Sequence, residues 1–192
     1  MNKKLLAIVL AASSLSAGSV MAGVDGGQLN IGGFVTAGTC VTTINGGGKD
    51  VTVMLQTAQI ADVPAMSKTA AGGFPEDINI KVDCATGNAT AQNAVMSFSS
   101  MYHNSNQGTL SNDGSVQDPA GNVDIALHHV NNTGALNLVE VNNPSNQITE
   151  AFDTTTHVAN FHLKASYVKS DANATVTSGH VKTNSTYTLT YN

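Results

Sequence analysis

Two cysteines and six histidines are the side chains of this 192-residue chain best suited to bond-forming chemistry. Cys40 and Cys84 stand 44 residues apart, with no CxxC spacing. Two thiolates are half of a tetrahedral zinc shell, so a metal site would need histidines to complete it. The histidines do not offer that: His128 and His129 are adjacent and leave a strand on opposite faces, and His157, His162 and His180 show no HxH or HExxH spacing. They read as solvated polar-face residues. An even cysteine count in an exported chain points instead to one disulfide. Closing that loop restricts the unfolded chain by about 4 kcal/mol in the loop-entropy description. No GxSxG elbow, glycine-rich phosphate loop or paired-carboxylate signature is present, so the sequence supports neither an enzyme nor a cofactor or metal.

The oxidising destination is itself written in the first residues. Lys3 and Lys4 precede a short apolar run from Leu5 to Ala12, and Val20-Met21-Ala22 supplies small residues where a signal peptidase cuts. Such a run is too short for a bilayer, which takes roughly 20 residues. Residues 1–22 are therefore expected to be a cleaved secretory signal, leaving a single domain of ordinary size. Beyond it the chain holds no arginine and six lysines against thirteen carboxylates, a net charge of about −7. That balance excludes nucleic acid and anionic membrane surfaces as partners.

The elements that must position these residues are strands. Ile78, Ile80, Val82 and Cys84 alternate with Asn79, Lys81 and Asp83, which puts Cys84 on a buried face. Val123, Ile125 and Leu127 alternate with Asp124, Ala126 and His128, and Asn131-Asn132-Thr133-Gly134 then supplies a hairpin turn. Phe161, Leu163, Ala165 and Tyr167 oppose His162, Lys164 and Ser166. Val95–Phe98 and Val51–Leu55 are shorter candidates, and the stretch from Pro64 to Pro75 has room for one helical turn. The polar stretches 46–49, 104–121 and 142–146 read as surface loops. With no helical period longer than about two turns, the class is all-β, a sandwich.

Two further segments alternate without an obvious partner. From Gly179 onward the odd positions include Val181, Tyr187, Leu189 and Tyr191 while the even ones are polar. Before the first cysteine, Gly27, Leu29, Ile31, Gly33 and Val35 face one way, and Gln28, Asn30 and Gly32 the other. Glycines weaken a strand inside a sheet. This segment reads as an arm that becomes a strand on meeting a sheet edge.

Together these positions resemble the chaperone-usher pilins, the subunits of type 1 and related fimbriae of Gram-negative bacteria. The resemblance rests on the alternating arm with Gly33 seven residues before Cys40, the cysteine pair, the Ala165-Ser166-Tyr167 element, Gly179 fourteenth from the end and the penultimate Tyr191. The six histidines and the Asn/Ser/Gly-rich loop 104–121 depart from the usual pattern. The resemblance implies an incomplete immunoglobulin-like β-sandwich lacking its last strand, completed by a donor strand from a neighbouring subunit. It implies a donor-strand arm over residues 23–36, carrying Gly27, Leu29, Ile31, Gly33 and Val35, ahead of a pilin domain over 37–192. Gly179, Val181, Tyr187, Leu189 and Tyr191 would lie on the strand that borders the groove. The implied partners are a periplasmic fimbrial chaperone, an outer-membrane usher and neighbouring pilin subunits in a head-to-tail polymer at the cell surface. A secreted monomeric β-sandwich binding module, an adhesin or carbohydrate-binding domain, is the alternative from another class.

Overall fold

In the computed structural model, residues 40–88 and 90–192 are described. The expected signal peptide 1–22 and the whole expected arm 23–36, including Gly27, Leu29, Ile31, Gly33 and Val35, lie outside the described residues. The chain from Cys40 onward forms two antiparallel sheets. Sheet A runs in the order β1 (Val41–Ile44), β2 (Gly73–Asp83), β8 (Val158–Lys169), β5 (Val123–Val130) and β4 (Leu110–Ser111), with β6 (Leu136–Leu138) also paired to β5. Sheet B has three strands, β7 (Ile148–Ala151), β3 (Asn93–Ser99) and β9 (Thr186–Tyr191).

The alternation of apolar residues decides which faces meet. Ile80 pairs with Phe161, Val82 with Ala159, and Leu127 with Ala165, so these residues line one face of sheet A. Ala94, Met96 and Ile148 line the facing side of sheet B, and all of these are buried in one core cluster. Each large aliphatic or aromatic side chain so buried stabilises the fold by roughly 1.5–3 kcal/mol. The disulfide extends this frame: β1 pairs with β2 through Val41 and Asp83, and Cys40 and Cys84 continue that register, bonded to each other with Cα atoms 4.2 Å apart. It fastens the edge strand β1 to the long strand β2 at its exit.

Part of the second face of sheet A is covered as well, which alternation did not foretell. Residues 64–72 cross behind β5 and β8, held by Lys169 N–H donating to the Pro64 carbonyl at 2.8 Å and Leu138 N–H donating to the Lys68 carbonyl at 2.8 Å. The helical turn expected between Pro64 and Pro75 does not form; a single 3-10 turn occurs earlier, at Ile60–Asp62. Under this strap His128 is fully buried, its Nε2 bonded to the Ser67 carbonyl oxygen at 2.8 Å. The reading of the histidines as solvated therefore fails at His128, because a distant segment covers the polar side of its strand. Asp124, four residues away on the same face, accepts hydrogen bonds from Thr109 Oγ1 at 2.6 Å and Asn104 Nδ2 at 2.8 Å. Burial raises its carboxyl above the usual carboxylate range, against the pull of those two donors. The hairpin after β5 forms as expected, with Asn131 Oδ1 accepting from the Ala135 amide at 2.9 Å and Gly134 at φ 82°.

Two other expectations are corrected. Val51–Leu55 forms no strand, although Leu55 packs on the core. The stretch 104–121 contains β4 and is anchored rather than a plain surface loop. It clamps the approach to β9: Asn112 Oδ1 accepts from the Lys182 amide at 2.8 Å, and Asn112 Nδ2 donates to the His180 carbonyl at 3.0 Å. Asp113 N–H donates to the Lys182 carbonyl at 2.7 Å, and Ala120 N–H to the His180 carbonyl at 2.9 Å. Gly179 lies so close to the backbone of Asp118, Pro119 and Ala120 that a Cβ there would overlap it.

Two outcomes follow from these contacts. Gly179→Ala should lower the stability of the subunit by about 1–3 kcal/mol, the usual cost of forcing extra volume against packed backbone, visible as a lower urea midpoint at unchanged slope. Asp124→Asn retains an acceptor for Thr109 and Asn104 without the buried charge. A raised folded-state value means that the charged form of Asp124 opposes folding above that value and that the opposition is lost as pH falls to the ordinary Asp range. Asp124→Asn should therefore be more stable than the parent near neutral pH, with the difference shrinking on acidification; urea titrations across that range measure it.

Candidate functional site

The residues with the least complete surroundings sit on β9. Among the described residues only β3 pairs with this strand, through Ala94 with Tyr191, Met96 with Leu189 and Phe98 with Tyr187. That register turns Tyr187, Leu189 and Tyr191 toward the core and Thr186, Thr188 and Thr190 outward. Yet the three inward residues stay half-buried, while their partners Ala94 and Met96 are fully buried. The strand therefore presents a row of backbone donors and acceptors along one edge and a partly uncovered apolar wall beneath it.

The facing wall comes from the start of the domain. Tyr187 donates its phenol O–H to the Lys49 carbonyl at 2.8 Å, and the Thr42 side chain stands near enough to the Tyr191 hydroxyl to favour its ionised form slightly. Tyr191 also packs against Phe152, with ring centroids 6.2 Å apart. Between Asp50 and Ala58 no backbone group hydrogen-bonds to the backbone of another described residue, although Val53 and Leu55 turn inward and Val51 and Met54 are exposed. Two unpaired stretches of backbone, β9 and the segment after Lys49, thus approach each other across the uncovered part of the core. The geometry suits the insertion of a strand between them.

Burial raises the phenols of both Tyr187 and Tyr191, aided at Tyr187 by the Asp50 carboxylate and opposed at Tyr191 by the Thr42 side chain. Both remain neutral phenols at physiological pH. Among the described residues no group of three or more His, Cys, Asp or Glu side chains could hold a metal ion.

Of the five residues expected on the bordering strand, Tyr187, Leu189 and Tyr191 form the inner row of β9, whereas Gly179 and Val181 precede the ladder. The Asn112 and Asp113 contacts draw residues 180–182 away from β3, so the strand begins only at Thr186. Val181 still packs on both the main core and the small cluster of Val63, Ala120, Val123 and Val176. Cys40 and Cys84 meet as expected. Sequence reasoning missed Lys49 and Thr42, which meet β9 through a backbone carbonyl and a hydroxyl; the alternation of Val51, Val53 and Leu55 was the available signal for this wall.

No curated protein sequence matches the chain. Among solved structures it is similar to the P pilus rod subunit PapA, at 14% identity and a TM-score of 0.49, over 86% of this chain and 100% of that one. It is also similar to the CupB6 tip adhesin from Pseudomonas aeruginosa, at 10% identity and a TM-score of 0.41, over 80% of this chain and 43% of the adhesin. The family described as fimbrial protein matches residues 29–192. A match of that extent, reaching from the alternating N-terminal segment through β9, establishes that the chain belongs to the fimbrial protein family, whose members are structural pilus subunits.

Proposed function

We infer that this chain polymerises by donor-strand exchange, the arm 23–36 of one copy entering the open edge of the next. The observation that carries this reading is β9: an unpaired edge above Tyr187, Leu189 and Tyr191, which no described element covers. An added strand satisfies the edge with main-chain hydrogen bonds and places alternate side chains over the wall. In the arm, Val35, Ile31 and Leu29 supply those side chains, and Gly33 and Gly27 fill positions too shallow for one. Burying Leu29, Ile31 and Val35 stabilises the contact by roughly 1.5–3 kcal/mol each. Each backbone hydrogen bond adds about 0.5–1.5 kcal/mol.

The same edge explains the need for partners before assembly. A subunit with an incomplete core requires a periplasmic chaperone to lend a strand, and the outer-membrane usher is where the next subunit's arm replaces it. The contact is head-to-tail and does not close, so it generates a filament. Because the donated strand completes the acceptor's core, release demands partial unfolding, and the filament is kinetically stable. The product is a fimbrium on the bacterial surface, supporting adhesion, reached after removal of the signal peptide 1–22.

Surface-sheared material run unboiled on a denaturing gel should show a ladder of multimers that collapses on heating; a single monomer band would end this reading. Deleting residues 23–35 should leave a subunit that binds chaperone but attaches to no preceding subunit, and normal polymerisation of that chain would refute the arm. Leu189→Asp combined with Tyr191→Asp should deprive the chaperone of its edge, so the subunit is degraded. Unchanged periplasmic levels of that variant, measured by immunoblot, would count against β9 as the docking edge.

A further inference from the structure

Sheet B has a second face, and it is chemically unlike the rest of the surface. The outward residues of its three strands are all Asn, Ser, Thr, Ala or Val. Thr149, Val95 and Thr190 stand side by side across β7, β3 and β9, and Ser97 stands beside Thr188 in the next outward row. The one charged residue of these strands, Glu150, turns to the other side and holds His129 Nε2 at 2.8 Å. Sheet A contrasts with this: its solvent face carries Asp77 paired to Lys164 and Lys81 paired to Asp83.

Beyond residues 1–22 the chain carries a net charge of about −7, so two copies repel across most approaches. The outer face of sheet B is free of that repulsion. Threonine and serine hydroxyls both donate and accept, so a face built from them is complementary to a second copy of itself. Val95 and the threonine methyls give it an apolar centre within a polar surround, the usual anatomy of an interface. Its size sets the mode of use. Three strands about 4.8 Å apart and some six residues long, at about 3.4 Å each, present roughly 300 Å² per copy. Stable pairs need about 800 Å² per partner, so two isolated subunits do not dimerise here. A filament repeats the face once per subunit, and many weak contacts in register bind strongly.

We propose that the outer face of sheet B is the lateral contact by which filaments of this chain pack side by side, its occupant being the same face of a second copy in a neighbouring filament. This rests on the polymerisation reading above. The test is electron microscopy of sheared filaments bearing Thr149→Glu together with Ser97→Glu, with the unboiled gel run on the same material. Parent filaments should lie in bundles, and the double variant should fall to about one filament per bundle in low salt, returning toward bundles when salt screens the new charges. Thr149→Glu alone, at the strand farthest from the β9 edge, should give an intermediate bundle width. Asn160→Glu, on the exposed face of sheet A, should leave bundling unchanged. Bundles of parental width in the double variant would overturn the lateral contact, as would parent filaments that never bundle or dispersal by Asn160→Glu. Loss of the heat-labile ladder in the parent would overturn the polymerisation reading, and the lateral contact with it; an intact ladder confines the failure to the lateral contact.

Discussion

A sandwich of two sheets is complete only when each inner face covers the other, and in this protein the numbers do not match. Six strands of sheet A face three of sheet B among the described residues. The shortfall falls beside β9, where Tyr187, Leu189 and Tyr191 point inward yet remain half-buried. Apolar surface left in water at about 25 cal/mol per Å² is a standing cost to the isolated subunit. An unpaired edge above it is a standing invitation to another strand. Nearly every other feature of the domain can be understood as holding that gap open in a fixed shape.

Three devices do so. The Cys40–Cys84 bond fastens β1 to β2 and so fixes the start of the facing wall, from which Thr42 and the Lys49 carbonyl reach Tyr191 and Tyr187. On the opposite side, Asn112 and Asp113 grip the backbone at His180 and Lys182, and the absence of a side chain at Gly179 lets the two segments touch. Behind sheet A, the strap 64–72 covers His128 and stiffens β5 and β8, the strands that carry much of the core. Rigid walls matter because a gap that relaxed shut would bury its own apolar residues and no longer present an open edge.

The legible part of this architecture was the part written as alternation. Ile78, Ile80 and Val82, then Phe161, Leu163 and Ala165, announced their strands and faces because a period of two is set by backbone geometry alone. The same signal misled at Val51–Leu55, since alternation reports where side chains point and not whether a neighbouring backbone is present to pair. It failed at His128 for a related reason: a polar residue on the outer face reads as solvated until a segment sixty residues away crosses it. Gly179 was located by its spacing, but its physical requirement, contact with the backbone of residues 118–120, depends on a loop whose composition suggested only solvent exposure. Tyr187, Leu189 and Tyr191 were readable individually; their incomplete burial is a property of the whole sandwich and belongs to no local pattern.

In the polymer we propose, the free edge of β9 is occupied by the arm of another subunit. Amide hydrogen exchange of intact fibres, followed by mass spectrometry of the peptides spanning 23–36 and 185–192, measures this directly. Both peptides should exchange together and as slowly as β3, since each strand's protection depends on the other. Rapid exchange of the arm in intact fibres, with only the β3-bonded half of the β9 amides protected, would contradict it.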